Sequence, residues 1–261
     1  MKSNPKNIVP VDRIVISMQP VERAAELQKA LQNSSIEFFN MPMIYTETTA
    51  LDVEILNCFN DLQTIDILIF TSRNGVKGFF NLLSQAKKKL SEKTKIAVIG
   101  KGTAKTLEEK YRQADFIQPG NTSRDFVVYL KNQVLRGGER ILLALGNLAP
   151  DFLQNELTPH ASVRRITVYR TLPVGEFNVD LMRRIRDNQY GLLVFSSPSA
   201  FANFHDKYQK EKTDALLRIV SIGETTTQAI LKTMQAFVLT AKTSGTEGLL
   251  NEIKKYFHLK N

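Results

Sequence analysis

Short clusters of Ser, Thr, Asn and Gly recur just after apolar stretches of the chain, and their types and spacing could do chemistry. Thr71, Ser72, Arg73 and Asn74 form one cluster, Gly100, Lys101, Gly102 and Thr103 a second, and Ser123 marks a third. Ser196, Ser197, Pro198, Ser199 and Ala200 form a fourth, Gly223, Glu224, Thr225 and Thr226 a fifth, and Ser244 marks a sixth. Where such a cluster opens a helix, unpaired backbone N–H groups, hydroxyls and the helix dipole together favour an anion. Capping selects the same residue types: Pro198 suits a first helical position and Ser244-x-x-Glu247 fits a capping box. Several clusters nevertheless hold more hydroxyls and glycines than one cap requires, and Gly100 and Gly223 permit a ligand to approach the backbone closely. Tyr169, in Val168-Tyr169-Arg170-Thr171, could add a hydrogen bond or a proton, although a lone tyrosine also serves as packing.

Other chemistries lose ground. The chain has no G-x-x-x-x-G-K-S/T loop, no G-x-S-x-G elbow and no H-E-x-x-H, and the glycines at 100 and 102 are too close for a dinucleotide fingerprint. Cys58 is the single cysteine, so an internal disulfide or a Cys-cluster metal site is excluded, and His160, His205 and His258 lie far apart in sequence. Nucleotide and metal chemistry are therefore disfavoured. The formal charge of +9 favours anionic partners, but the basic residues are spread out and carry no nucleic-acid-binding signature. No apolar run approaches a membrane span, and with Asp12 and Arg13 ahead of the first short apolar stretch a cytoplasmic protein without signal or anchor is expected.

The elements that must position these clusters are set by an internal repeat. Residues 67–79, ILIFTSRNGVKGF, align without gaps on residues 192–204, LLVFSSPSAFANF, matching Leu68 to Leu193, Phe70 to Phe195, Ser72 to Ser197 and Phe79 to Phe204. Residues 96–107 then match residues 219–230 through Ile-Gly-x-x-Thr, and Thr122-Ser123 matches Thr243-Ser244. Each block reads as a short β-rich run, a turn and a helical pattern, the unit of a parallel α/β sheet. Residues 13–17 and 21–33 find their counterparts in residues 140–145 and 150–157, at opposite ends of the two repeats. The fold expected is therefore α/β: two similar flavodoxin-like parallel-sheet lobes, one inserted in the other and joined by a two-stranded linker. Residues 1–42 plus 172–261 form the discontinuous lobe and residues 43–171 the inserted lobe, with linker strands near 39–48 and 165–173, where Pro42 and Pro173 lie. Ligands of such sheets gather beyond the strands' carboxyl ends, so two facing rims of loops around one cleft are expected.

Together these features resemble the uroporphyrinogen-III synthase family over nearly the whole chain. The resemblance is carried by Phe70-Thr71-Ser72-Arg73-Asn74-Gly75-Val76, similar to the family's F-T-S-x-N-A/G-V. Val98-Ile99-Gly100-x-x-Thr103-Ala104, Val168-Tyr169-x-Thr171, Phe195-Ser196-Ser197-Pro198-Ser199 and Ile222-Gly223-x-Thr225-Thr226 follow in order. It implies a monomeric, cofactor-free lyase that dehydrates linear hydroxymethylbilane, a polycarboxylate handed over from hydroxymethylbilane synthase, and closes it with inversion of ring D. It also implies that Tyr169 helps the hydroxyl depart, and that the six clusters and Asn147, at the turn Gly146-Asn147, bind carboxylates. One departure is Gln19 in Ser17-Met18-Gln19-Pro20, where the family usually has arginine. A non-catalytic bilobal protein that closes on an anionic metabolite is the alternative reading; nucleic-acid binding through the positive charge is a third.

Overall fold

The computed structural model describes residues 13–118, 120, 122–209, 216–243 and 245–259. Ser244, one of the predicted site residues, lies outside the described residues. In chain order the elements begin β1 (Ile14–Ser17), α1 (Val21–Leu31), β2 (Glu37–Asn40), β3 (Ile44–Thr48), α2 (Val53–Asn60), β4 (Ile67–Phe70), α3 (Arg73–Gln85), β5 (Lys95–Ile99) and α4 (Lys101–Lys110). They continue with β6 (Phe116–Gln118), α5 (Ser123–Tyr129), β7 (Arg140–Gly146), α6 (Phe152–Leu157), β8 (Ser162–Pro173), α7 (Val179–Arg186), β9 (Leu192–Phe195), α8 (Pro198–Tyr208), β10 (Leu217–Ser221), α9 (Glu224–Thr233), β11 (Ala236–Thr240) and α10 (Thr246–Tyr256). The chain divides into two compact units, a split unit (Met1–Tyr45 with Leu172–Asn261) and an inserted unit (Thr46–Thr171).

The split unit holds a five-stranded sheet of order β11-β10-β9-β1-β2, parallel throughout. Renumbered within the unit this is 2-1-3-4-5 read from the β2 edge, the flavodoxin-like order, whose switch point lies between β1 and β9. The other sheet has the order β3-β8-β7-β4-β5-β6, and its strands from β8 to β6 are parallel. Matching β4, β5 and β6 to β9, β10 and β11 gives the same spatial order in both sheets, with the chain entering the inserted unit two strands later. β3 and β8, neighbours in this sheet, each carry the chain across the unit boundary.

Both faces of each sheet are covered, which is why the strands read as continuous apolar runs rather than alternating ones. In β4, Leu68 and Phe70 join the core under α2, α3 and α4, while Ile67 and Ile69 join the core under α5 and α6. In the split unit Leu193 and Phe195 face α7, α8 and α9, and Leu192 and Val194 face α1 and α10. The matched residues of the repeat occupy matched places. Phe70 and Phe79 meet edge to face at 5.5 Å between ring centroids, and Phe195 and Phe204 do the same at 5.3 Å. Ser72 and Ser197 cap their helices, accepting from the N–H of Gly75 and of Ala200. One expected cap differs: Gly245, at φ 98°, is the N-cap of α10, so Glu247 stands second in the helix, one short of the place a capping box needs.

At the amino ends of the strands, Asp115 ties β6 to β5. It accepts from the Ile96 N–H at 2.9 Å, from Lys95 at 3.0 Å and from Arg112 at 2.9 Å. Burial alone would raise this carboxyl, but those hydrogen bonds and the Arg112 charge outweigh it and hold the group below its ordinary value. Its contribution is therefore present above the unfolded carboxylate range and lost as pH falls through the lowered value. Asp115→Asn should flatten the loss of stability below about pH 4, read from denaturant midpoints against pH. Phe79→Ala and Phe204→Ala, each emptying a matched ring site, should each cost about 3–5 kcal/mol in the same measurement.

Candidate functional site

In each sheet parallel pairing sends the turns that follow its five parallel strands to the carboxyl edge, and most of the predicted residues stand there. In the inserted unit Ser72 ends the turn after β4, and its extended backbone lets Oγ reach forward to the Gly75 N–H at 3.0 Å. The same hydroxyl donates to the phenol oxygen of Tyr169 at 3.2 Å. Thr71, Arg73 and Asn74 are half-buried around it. Gly100 turns the chain into α4 at φ 76°, a conformation that favours glycine. The Arg73 guanidinium lies across Gly102 in the first turn of α4, its Nε 2.9 Å from where a Cβ would be. Lys101, exposed, adds a second cation to the same helix start. Thr103 points inward and is 6% exposed, so a ligand at this helix start would meet Lys101 and Gly102 before its hydroxyl. Ser123 is the exposed first residue of α5, and the cap itself is its neighbour Thr122.

Asn147 follows β7 and clamps β8: its N–H donates to the Tyr169 carbonyl at 3.1 Å and its Oδ1 accepts from the Thr171 N–H at 2.8 Å. Arg165, which sequence reasoning passed over, fixes the turn after β7 through Asp151 and the Ala149 carbonyl. Its partners are largely main-chain carbonyls, which leave no pattern in side-chain types. A cavity of about 690 Å³ in this unit is lined by Glu47, Asp52, Glu54, Asn147, Arg165 and Arg170 among others. It contains Asn147 but not Tyr169, and its three carboxylates suit a polyacid poorly.

In the split unit Ser197 caps α8 and exchanges a hydrogen bond with Ser199 at 3.1 Å. Ser196 is half-buried, Pro198 is exposed at the first helical position, and Ala200 is buried with its N–H held by Ser197. Gly223 opens α9; Glu224 and Thr225 are exposed, while Thr226 is 2% exposed, the same inward position as Thr103. Behind them Ser221, Thr227 and Thr240 form a hydroxyl chain at 2.6 and 2.7 Å that pins α9 to β10 and β11. Gln19 is 2% exposed and donates its N–H to Ser17, a neutral, internally bonded group at the end of β1. The two rims thus differ in charge: Arg73 and Lys101 stand where Pro198 and Glu224 do in the split unit. Tyr45, the counterpart of Tyr169 at the other crossing, is 45% exposed, whereas Tyr169 is half-buried. Among the described residues no group of His, Cys, Asp and Glu could hold a metal ion, and no helix is long and apolar enough to cross a membrane.

Fold and site together define a two-unit α/β protein with hydroxyl- and glycine-rich helix starts at the carboxyl edge of each flavodoxin-like sheet. The family model for uroporphyrinogen-III synthase HemD matches residues 25–251, and the chain belongs to that family, one of tetrapyrrole biosynthesis. A relative from Methanocaldococcus jannaschii, provisionally named uroporphyrinogen-III synthase, is 26% identical over 226 residues, covering 84% of this chain and 88% of its own. Among solved structures, a mutant uroporphyrinogen III synthase from the extremely thermophilic bacterium Thermus thermophilus superposes with a TM-score of 0.66 at 17% identity, covering 94% of this chain and 98% of its own. Uroporphyrinogen-III synthetase from Helicobacter pylori superposes with a TM-score of 0.59 at 17% identity, covering 93% and 99%. At these identities the two structures speak to the fold.

The double use of the Ser72 hydroxyl yields a test. Ser72→Ala removes the α3 cap and should cost about 1 kcal/mol in thermal unfolding. Ser197→Ala should cost a similar amount from its own cap, but only Ser72→Ala removes a partner of the Tyr169 phenol.

Proposed function

We propose that the chain is a lyase that converts linear hydroxymethylbilane to uroporphyrinogen III. The observation that carries this reading is the Tyr169 phenol, 3.2 Å from the Ser72 hydroxyl at the carboxyl edge of the inserted sheet, in a chain of this family. The α3 start with Arg73 and the α4 start with Lys101 supply N–H donors and positive charge to the same rim. A substrate with several carboxylates suits that rim, because N–H, O–H and guanidinium groups all strengthen towards an anion. The Arg73 and Lys101 charges support an electrostatic grip at the rim of the inserted unit.

In the reaction the phenol donates its proton to the terminal hydroxyl. The C–O bond breaks with its electrons going to oxygen, water leaves, and the pyrrole nitrogen stabilises the resulting azafulvene cation. The substituted carbon of ring D attacks the azafulvene methylene carbon to form a spiro intermediate; the bond from that ring D carbon to the methylene of ring C then breaks, and the unsubstituted α-carbon of ring D bonds to that methylene, so that ring D is inverted. Loss of a carbon-bound proton then restores the pyrrole and balances the proton first supplied. Acid catalysis of the first step is a positioned proton transfer, and the inversion depends on holding the chain in one conformation away from water.

The test is the product isomer. Purified protein given freshly made hydroxymethylbilane should release type III product ahead of spontaneous closure to type I; type I alone overturns the reading. Tyr169→Phe should lower kcat on the order of 10²-fold while the type III fraction is retained, because the phenol serves departure of the hydroxyl rather than the choice of ring carbon. An unchanged kcat would return Tyr169 to packing.

A further inference from the structure

A phenol that donates a proton must be held in place, and the strand facing it has a gap shaped for its ring. Along β7 and β8 the register pairs Leu145 with Thr167 and then Gly146 with Tyr169, so one step on β7 answers two on β8. Val168 is the extra residue of a β-bulge. Ile166 and Val168 are buried in the core under α3, and the bulge lets Tyr169, the very next residue, pack against the same core instead of alternating away. Its ring then lies over Gly146. A Cβ built on Gly146 would stand 2.7 Å from both the phenol oxygen and Cε2 and would overlap Cζ. Any side chain at 146 and the ring at its present place therefore exclude each other.

Hydrogen bonds hold the backbone on both sides of that overlap. Asn147 holds the Tyr169 carbonyl at 3.1 Å and the Thr171 N–H at 2.8 Å, and Arg165 also holds the turn that follows Gly146. With both strands pinned, an added methyl must push the ring, and the 3.2 Å contact with Ser72 is what gives way. Nor does φ require glycine here: the positive-φ glycines among the described residues are at 100, 137, 138 and 245. Alanine fits the backbone dihedrals of position 146, and the three atoms nearest its methyl would all belong to the Tyr169 phenol.

We infer that Gly146 is a positioning residue for Tyr169: its missing side chain is the seat of the phenol, and Asn147 locks the strands around that seat. This role rests on the proposed function above. Gly146→Ala should lower kcat by about the factor lost in Tyr169→Phe, on the order of 10²-fold, with KM little changed and the type III fraction retained. In the Tyr169→Phe background the same alanine should cause little further loss of kcat, since both changes remove the same placed hydroxyl. A full additional loss in the double variant overturns the inference, because Gly146 would then act independently of the phenol. Unfolding midpoints for all four proteins separate loss of kcat from loss of fold. A second readout needs no turnover. In protein labelled with fluorotyrosine, the fluorine resonance absent from Tyr169→Phe identifies residue 169, and Gly146→Ala should shift it while leaving the other tyrosines in place. An unmoved resonance overturns the inference even if activity falls. Wild-type protein that makes no type III product overturns the functional reading and this catalytic role with it, and a shifted resonance would then report packing alone.

Discussion

Parallel strand pairing is the constraint from which the rest follows. In such a sheet every strand points the same way, so each strand-to-helix turn emerges at one edge and each helix begins there. Five strands of each sheet obey this arrangement, and it costs the chain a second layer of helices on each sheet, because neither face can be left wet. Continuous apolar strands such as Ile67–Phe70 and Leu192–Phe195 are the consequence. The hydroxyl, glycine and cationic residues concentrate at the helix starts because that edge is where backbone donors remain unpaired.

Within the inserted unit, close approach of main chains decides where the phenol stands. A Cβ at Gly78 would press against the carbonyl of Val168, with the carbonyl carbon 3.0 Å away, so α3 can settle directly on the bulged strand. That brings Ser72, at the start of the same helix, to the end of β7 and beside Tyr169 of β8. The bulge and the Gly146 gap act on the Tyr169 side chain, and the Gly78 contact sets α3 against the strand that carries it. Helix capping and phenol placement are joined in a single hydroxyl, so stability and the proposed chemistry at this rim share a residue.

The two units share one framework and differ in charge. The repeat preserves what packing and capping need: Phe70 with Phe79 and Phe195 with Phe204 in the cores, Ser72 and Ser197 at the helix starts. Thr103 and Thr226 belong with these, turned inward in the first turn of α4 and α9. Residues beside them differ between the units: half-buried Arg73 and exposed Lys101 in one, exposed Pro198 and Glu224 in the other. At the exposed positions such a difference costs little in stability, since solvated side chains at a helix start contribute only tenths of a kcal/mol to about 1 kcal/mol.

The strand–turn–helix blocks, their permuted order and the serine caps were legible in the chain because each depends on local spacing and residue type. Apolar runs, cap residues and a shifted repeat are written along a single stretch. The seat of Tyr169 was not legible, for it joins Ser72, Gly146 and Tyr169, residues distant in sequence whose meeting depends on strand register. Nothing in Leu145-Gly146-Asn147 announces that its glycine faces a ring, and nothing in Val168-Tyr169 announces a bulge. Arg165 escaped for the same reason. Residue types alone settled the α/β repeat and the chemistry on offer, because propensity, burial and capping are local energies. Which hydroxyl meets which, and which missing methyl makes room, only tertiary packing could decide, because hydrogen bonds and steric exclusion act across ångströms of space whatever the distance along the chain.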